Sequence, residues 1–329
     1  MTEMTRRERV RAAISGEPVD RAPASLWGHD FLREWSNDEL VGATCEQYEA
    51  YDWDFIKINP RWSMFPEAWG AVYQPPVEQT NQTMIRPALS ELEELHDVVP
   101  VHAERGVFGE HIESTRLVVE RTGGEVDVVQ TVFSPMATVG LMFGHPRAFK
   151  LAAAEAPAAV HGAIARVTET IINYSRANMN AGASGVFYAP LQWASHANST
   201  PDFYREFGRP YDLQVLDAIR DAEFNILHVC HTNNMLADVL DYPVHAFNWD
   251  DRDETNASLA DVWSQTDKAV MGGVSRAGLG ELGADEVRNQ ASEAASVGNT
   301  RVFVTGGCSI PPHTSQENRA AVASGVRGN

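Results

Sequence analysis

The sequence predicts a (β/α)8 TIM barrel, in which eight parallel strands close into a cylinder that helices surround. Three observations predict it: eight short apolar runs, the helical stretches that alternate with them, and a length of 329 residues. Alternating strands and helices indicate a parallel sheet covered by helices, and eight near-continuously apolar strands fit a closed barrel better than an open sheet. An open doubly wound sheet usually has a glycine-rich phosphate loop after its first strand, whereas here the first run leads into Trp27-Gly28-His29-Asp30.

The predicted strands are short runs rich in apolar and β-branched residues. In chain order they are ASLW (24–27), FIKIN (55–59), VDVVQTVF (126–133), GVFYAPLQ (185–192), NILHVC (225–230), HAFNWD (245–250), AVMGGVS (269–275) and RVFVTGG (301–307). Helix-start residues mark helices after Thr200-Pro201-Asp202 and after Gly283-Ala284-Asp285, where acidic residues occupy the first turn. A further helix is predicted from Asp38 to Tyr51.

The first 20 residues predict an amphipathic helix that caps the bottom of the barrel. Val10, Ala13 and Ile14 fall on one side of this helix, and four arginines fall on the other. The segment is charged throughout and lacks the apolar stretch of a signal peptide, so we expect no signal peptide here.

The interval from Arg61 to Arg121 is the longest between two predicted strands. A stretch rich in proline and tryptophan (60–76) is followed in it by an acidic helix from Glu91 to Asp97. No linker composition separates this interval from its surroundings. We therefore interpret it as an insertion folded over the barrel mouth, and we predict one domain over residues 1–329.

The composition narrows the classes of partner. With 45 acidic against 26 basic residues the formal net charge is -19, and a surface this acidic repels nucleic acid and anionic membranes. No apolar run approaches the length of a membrane span, and three cysteines in a long chain do not indicate a disulfide framework. We therefore expect a cytoplasmic protein that binds neither nucleic acid nor membrane.

Polar side chains recur at the ends of the otherwise apolar predicted strands. The active site of a (β/α)8 barrel lies at the C-terminal ends of its strands. The polar residues found there are His29, Asp30, Lys57, Asn59, Gln130, Ser134, Tyr188, Gln192, His228, Cys230, Asn248, Asp250, Ser275, Arg276 and Cys308. A purely structural barrel has little reason to place them there, which favours an enzyme.

The segment His228-Val229-Cys230 and the distant Cys308 predict a metal site. Residues two apart on a strand share one face, so the imidazole and the first thiol look into the same pocket. One nitrogen and two sulfur ligands suit zinc, and three protein ligands leave the open fourth position of a catalytic site. The alternative is that the cysteines are small buried hydrophobes, which is our interpretation of Cys45.

Asp250, His29 and Asp30 are the candidate catalytic residues, because carboxylates and imidazoles act as general acids and bases. Asp250 is expected to orient a ligand or to act as an acid/base, whereas its neighbours Asp251 and Asp253 are interpreted as helix-start carboxylates. His29 and Asp30 are expected to form an acid/base pair or to contact substrate, with a place in a surface turn as the alternative. His231 points away from Cys230 on a strand and is expected to be a supporting or loop residue. The candidate substrate-binding residues are Trp27, Asn59, Gln130, Tyr188, Gln192 and Asn248.

Eight segments spread over the whole chain carry a resemblance to a known family. They are RRERVRAAISGEPVDRAPASLW, DWDFIKINP, EAWGA, QTVFSPM, PDFYREFGRPYDLQVLDAI, LHVCH, AFNWDD and GGCSIPPHTSQENRAAV. The last of them, a Gly-Cys turn followed by Ile-Pro-Pro and a helix start, is a specific signature. The chain resembles the uroporphyrinogen decarboxylase superfamily, and the resemblance implies a (β/α)8 barrel that is a monomer or a homodimer.

Two arms of that superfamily differ in their chemistry. The porphyrinogen decarboxylases use no metal and carry an arginine-containing loop of the kind R-Q-A-G-R after the first strand, where this chain has Trp27-Gly28-His29-Asp30-Phe31. The other arm contains zinc methyltransferases that act with corrinoid proteins and with thiols such as coenzyme M. Their H-x-C motif and distant cysteine match His228, Cys230 and Cys308. The resemblance thus implies Zn2+ as a cofactor and a corrinoid (cobalamin) on the substrate or on a partner protein.

Three functions stay open at this point. The first is a zinc-dependent methyl (alkyl) transferase that activates a small-molecule thiol and takes a methyl group from a corrinoid or a small methylated donor. The second is a metal-free decarboxylase or other lyase of a small carboxylic acid, with Asp30 or Asp250 as the acid/base and with His29 or Arg276 holding the carboxylate. The third is a barrel that binds a small molecule or a corrinoid without chemistry.

Overall fold

The computed structural model describes residues 3–327, in which strands and helices alternate along the chain. Its strands are β1 (Ala24–Ser25), β2 (Phe55–Ile58), β3 (Val72–Gln74), β4 (Thr83–Arg86), β5 (Asp127–Phe133), β6 (Gly185–Ala189), β7 (Ile226–Val229), β8 (Ala246–Trp249), β9 (Ala269–Val274) and β10 (Val302–Gly306). Its α-helices are α1 (Arg6–Ser15), α2 (Asn37–Tyr51), α3 (Met64–Glu67), α4 (Gly106–Arg121), α5 (Pro135–Met142), α6 (Pro146–Glu155), α7 (Pro157–Asn180), α8 (Pro201–Phe207), α9 (Arg209–Ala218), α10 (Leu259–Gln265), α11 (Gly278–Glu281), α12 (Ala284–Ala295) and α13 (Gln316–Arg327). Short 3-10 helices cover Leu92–His96, Leu191–Ala194 and Leu236–Asp238. All eight predicted strands are present, with boundaries that differ by a few residues at most.

Eight of the strands form one parallel sheet in the order β1-β10-β9-β8-β7-β6-β5-β2. The strands at the two ends of this order, β1 and β2, meet across a short seam. There the backbone N–H of Asp54 donates to the carbonyl of Ala24 (2.9 Å), and the Ser25 hydroxyl donates to the carbonyl of Phe55 (2.8 Å). The sheet therefore closes into the predicted TIM barrel, and the C-terminal ends of its strands surround one mouth.

Helix α1 covers the opposite end of the barrel. Val10 and Ala13 are fully buried and belong to one apolar cluster with the rings of Phe55 and Phe224, near the N-terminal ends of the strands. The predicted cap at the bottom of the barrel is thereby confirmed. The first two residues of the predicted N-terminal helix and the last two of the predicted domain lie outside the described range.

One arginine of α1 departs from the prediction that all four lie opposite the core. Arg9 is buried, and its guanidinium forms ion pairs with Asp20 (2.7 Å) and Asp54 (2.6 Å). Two carboxylates that neutralise the guanidinium and accept its hydrogen bonds make this burial tolerable. The pairs tie α1 to the segment that precedes β2.

The interval between β2 and β5 contains α3, an antiparallel hairpin of β3 and β4, a 3-10 helix at the place of the predicted acidic helix, and α4. The hairpin was not predicted, because its strands are short and mostly exposed and so lack a clear apolar period. In the loop between them, Gln79 donates to Oδ1 of Asp30 (2.7 Å) and accepts from the N–H of Phe31 (3.0 Å). The insertion therefore lies over the mouth beside β1, as predicted.

Helices α2 and α4 pack on the outer face of β2 and β5. Cys45 of α2 is fully buried there, in an apolar cluster with Ile56 and Val128, which confirms its interpretation as a core residue. Within residues 3–327, no helix combines the length and the apolar character that crossing a membrane requires.

Candidate metal centre

His228, Cys230 and Cys308 meet at the barrel mouth. His228 lies on β7, Cys230 follows the end of this strand, and Cys308 follows β10. One ligand atom from each of the three lies within 4.8 Å of the other two, and the two sulfur atoms are 4.0 Å apart. The structure therefore brings together the three predicted metal ligands from strands that are far apart in the sequence.

Asn248 of β8 orients the ring of His228. Its Nδ2 donates to the carbonyls of Met271 (3.0 Å) and Gly306 (3.2 Å), which fixes Oδ1 as the atom that faces the ring. The Nδ1–H of His228 therefore donates to Oδ1 of Asn248 (2.7 Å), and Nε2 is left with its lone pair. This buried Nε2 has no hydrogen-bond partner among the described residues, as a metal-binding nitrogen requires.

The two thiols share one hydrogen bond, and it polarises the pair. The pKa of the Cys308 thiol lies well below its usual value, because the Cys230 thiol donates a hydrogen bond to its sulfur. The same hydrogen bond, together with burial, raises the pKa of the Cys230 thiol. A thiolate already stabilised in this position suits a metal ligand, since metals bind the deprotonated sulfur.

Gly307 lets the end of β10 approach the end of β8. A Cβ atom at this position would lie 2.4 Å from Cα of Asp250, so any larger residue would push Cys308 away from the other two ligands. One imidazole nitrogen with a free lone pair and two sulfur atoms at this spacing fit zinc, whose usual ligands they are.

Asp250 lies beside the three ligands. It follows β8, and burial together with the nearby charge of Asp253 raises the pKa of its carboxyl group. Its Oδ1 is buried without a hydrogen-bond partner among the described residues. The side chain is therefore available to a bound ligand, in agreement with its choice as a candidate catalytic residue.

His29 and Asp30 do not form the acid/base pair considered from the sequence. Nδ1 of His29 pairs with Oε1 of Glu34 (2.7 Å), whereas Asp30 is bound by the side chain of Gln79 (2.7 Å). The turn after β1 separates the two side chains, and Glu34 had given no sequence signal because it stands in that irregular turn. Both residues still lie at the mouth, where they remain candidates.

Three of the predicted substrate-binding residues are corrected by the structure. Gln130 and Tyr188 face the outer helices, where Gln130 donates to Thr115 (3.0 Å) and Tyr188 donates to Asp212 (2.7 Å). Both are fully buried, because alternate strand residues point away from the barrel interior. Asn248 points inward, but its amide is already engaged in holding His228.

The other three predicted substrate-binding residues lie near the mouth. Trp27 faces the barrel interior with its ring 5.2 Å from that of Phe187. Asn59 is close to the segment after Cys308, where Ser309 donates to its Oδ1 (3.4 Å). Gln192 is half-buried on the 3-10 helix that follows β6.

Lys57 is a mouth residue that the candidate site lacked. Its Nζ lies 4.8 Å from the ring centre of Phe187 and 5.9 Å from that of Trp27, and burial lowers the pKa of its ammonium group to about 7. The sequence signal is a lysine inside the apolar run FIKIN, two residues before Asn59 and therefore on the same face. Lysines are almost never fully buried unless they are paired, so a lysine within an apolar strand indicates a candidate site residue.

A cavity of about 170 Å³ opens on the β1–β2 side of the mouth. His29, Glu34, Lys57 and Asn59 line it, together with residues of α2 and α13. The three metal ligands do not line this cavity. Asn59 lines it and contacts Ser309, the residue after Cys308, so the cavity lies close to the metal ligands.

Comparison with known proteins gives a family and a fold. The model of the family described as uroporphyrinogen decarboxylase (URO-D) matches residues 5–328. Two relatives are named methylcobamide:CoM methyltransferase MtbA. The protein from Methanosarcina mazei is 22% identical over 80% of this chain and 81% of its own length, and the one from Methanosarcina acetivorans is 20% identical over 72% and 74%.

Solved structures share the same fold. A methyltransferase from Methanosarcina mazei superposes with a TM-score of 0.86 at 20% identity, covering 99% of both chains. A B12-independent methionine synthase from a Shewanella species, in complex with selenomethionine, gives a TM-score of 0.61 at 11% identity, covering 93% of this chain and 97% of that one. At these identities the likeness supports the fold alone.

Proposed function

Since this chain belongs to the uroporphyrinogen decarboxylase family, we propose that it is a zinc-dependent methyl (alkyl) transferase of that family, with a thiol as the acceptor. The observation that carries the proposal is the convergence of His228 Nε2 with the sulfur atoms of Cys230 and Cys308 within 4.8 Å. The donor is a methylated corrinoid or a small methylated compound. The names of the two Methanosarcina relatives support this chemistry.

Three ligands are the number expected of a catalytic zinc site, because the fourth position stays free for substrate. Zinc, when bound here, supplies a Lewis acid that lowers the pKa of a thiol entering that position. The turn after β1 supports transfer over porphyrinogen decarboxylation. Its arginine, Arg33, is already engaged by Glu46 (2.6 Å) and is not free for substrate carboxylates.

The residues of the chain then have separate tasks. Asn248 holds the Nδ1–H of His228 and so keeps Nε2 aimed at the centre. Oδ1 of Asp250 accepts the proton as the S–H bond of the thiol breaks, and the electron pair stays on the sulfur. The sulfur then forms a bond to the methyl carbon, while the bond between the methyl group and its donor breaks with its electrons left on the donor. The barrel mouth aligns the two reactants.

The test is metal analysis of the purified protein after growth with zinc. We expect about one zinc per chain, and less than a tenth of that in Cys230→Ser and Cys308→Ser, because each variant removes one of three ligands. Cys45→Ala is the matched control, since Cys45 is buried in the core away from the mouth and its loss leaves the zinc content unchanged.

Activity is measured next as transfer from methylcobalamin to a panel of thiols. The expected result is turnover that chelation abolishes and added zinc restores. A parent protein without zinc, or turnover that survives chelation, contradicts the proposal. A parent protein that contains no zinc and transfers no methyl group supports the metal-free lyase instead.

A further inference from the structure

Four polar side chains form a cluster beside the metal ligands, which we term the β1–β2 cluster: His29, Glu34, Lys57 and Asn59. Glu34 is 2% exposed, and Lys57 and Asn59 are each 7% exposed. Buried polar atoms are nearly always hydrogen-bonded. Yet Oε2 of Glu34 and Nδ2 of Asn59 are buried without partners in the described chain. Because these side chains line the cavity, a bound molecule can supply what they lack.

Lys57 adds a positive charge to this cluster. Its Nζ donates to Oδ1 of Asn59 and lies over the ring of Phe187, but it forms no salt bridge within the described residues. A buried ammonium without an anionic partner is costly. Lys57 and Glu34 line the same cavity, so one bound molecule can contact both the ammonium group and the unpartnered carboxylate oxygen.

The cluster lies close to the metal ligands, one residue away along the chain and one aromatic ring away in space. Ser309 is the neighbour of Cys308 in the chain, and its hydroxyl donates to Oδ1 of Asn59 (3.4 Å). On the other side, the ring of Phe187 separates Lys57 from His228, whose ring stacks on it at 5.0 Å. A small molecule in the cavity can thus present one end to the cluster and another end to the metal ligands.

The arrangement of donors and acceptors selects the chemistry of that molecule. Lys57 Nζ and Asn59 Nδ2 offer hydrogen bonds to an anionic group, whereas Oε2 of Glu34 demands a donor, preferably a cation. A ligand that is only anionic leaves the Glu34 carboxylate unpaired beside its own negative charge. A ligand that is only cationic leaves Lys57 unpaired. A ligand with both charges satisfies every member.

We propose that the β1–β2 cluster binds the α-amino-acid group of the thiol substrate, with the carboxylate at Lys57 and Asn59 and the ammonium group at Glu34. The methyl acceptor is then a cysteine-like or homocysteine-like amino acid, whose side-chain sulfur faces His228, Cys230 and Cys308. This assignment rests on the proposed function, because it names the substrate class of the same site.

The experiment measures dissociation constants of thiols by calorimetry on the zinc-loaded protein. The probes are L-homocysteine, 4-mercaptobutyrate (which lacks the amino group), 3-mercaptopropylamine (which lacks the carboxylate) and 2-mercaptoethanesulfonate. We expect homocysteine to bind at least about tenfold more tightly than each of the other three, because only it pairs with both charges. Equal binding of homocysteine and 4-mercaptobutyrate overturns the role of Glu34, and with it the proposal.

Two variants test which residue binds the ammonium group of the ligand and which binds its carboxylate. In Glu34→Gln we expect the affinity for homocysteine to fall about tenfold, while that for 4-mercaptobutyrate stays within about twofold. In Lys57→Met we expect the affinities for homocysteine and for 4-mercaptobutyrate, which both carry a carboxylate, to fall about tenfold. The affinity for 3-mercaptopropylamine is expected to stay the same. The matched controls are the exposed Glu120→Gln and Lys150→Met, which leave every affinity unchanged. If either variant weakens all four thiols alike, its residue has only a structural role and the assignment fails.

The outcomes separate this proposal from the one it rests on. A protein that binds zinc and transfers methyl groups, but shows no preference for the amino acid, overturns only the substrate assignment. A protein that binds zinc but none of the four thiols overturns both. Zinc content, measured on each variant, reports whether the barrel mouth has kept its structure.

Discussion

At the scale of single residues, the centre depends on a side chain that does not touch the reacting atoms. Asn248 donates to two backbone carbonyls of neighbouring strands and accepts from His228, so its amide cannot turn over. A ring held in this way presents Nε2 in one tautomer and one direction. The orientation of the His228 ring is therefore fixed by the protein and does not depend on a bound metal.

Asn248→Ala is expected to weaken zinc binding about 10-fold to 100-fold, because the His228 ring loses the side chain that accepts its Nδ1–H. Competition with a chelator of known affinity measures the effect. Asn248→Asp keeps an oxygen opposite Nδ1 and should recover most of the affinity. Asn225→Ala is the control, since Asn225 is equally buried but lies before β7, at the other end of the barrel. Similar zinc affinity in Asn248→Ala and the parent would refute the orienting role.

At the scale of elements, helix α1 is fastened to the bottom of the barrel by buried charge as well as by apolar contact. Arg9 pairs with Asp20 and Asp54, and Asp54 also accepts from the side chain of Arg21 (2.6 Å) and from the backbone N–H of Ala24 (2.7 Å). These contacts join α1, the segment before β1 and the segment before β2. They hold β1 and β2 together where the barrel closes.

Arg9→Met is expected to lower the free energy of unfolding by about 3 kcal/mol, because it removes the guanidinium that pairs with Asp20 and leaves the buried Asp54 with Arg21 as its remaining ion-pair partner. Urea denaturation of the zinc-loaded protein measures the change. Arg116→Met is the matched control, because Arg116 forms its ion pairs on the exposed surface of α4. There we expect a change within about 0.5 kcal/mol. An equal loss in both variants would show that burial of the Arg9 pairs does not matter.

At the scale of the whole molecule, we expect the barrel to fold without the metal. The apolar clusters that fill the barrel and its outer layer hold the strands, while the three metal ligands follow strand ends or line the mouth. The metal-binding atoms therefore come together as a result of folding. Zinc that binds only the folded state adds stability by mass action.

Chelation is expected to lower Tm without changing the far-UV circular dichroism spectrum. At a free zinc concentration of 100 times Kd, the loss corresponds to about 2.7 kcal/mol. Differential scanning calorimetry with and without chelator measures it, and Cys308→Ser should show no further loss on chelation. A collapse of the helical and strand signal after metal removal would mean instead that the metal holds the fold.

The sequence alone was enough to locate all eight barrel strands and the three residues that meet at the mouth. Apolar runs indicate buried parallel strands. His228 and Cys230 are two residues apart, so their side chains point to the same face of a strand independently of the tertiary structure. The single domain, the cytoplasmic setting and the monomeric or dimeric state stay predictions.

Tertiary structure decided which of the polar strand residues belong to the site. Gln130 and Tyr188 face the outer helices, because successive strand residues point to opposite faces and a strand buried on both faces has no polar side that reveals which residues line the barrel. Glu34 lines the same cavity as Lys57 because the turn after β1 folds back towards β2. Local periodicity along the chain reports which residues are buried, but the partner that a buried polar atom finds depends on contacts between strands that are distant in the sequence.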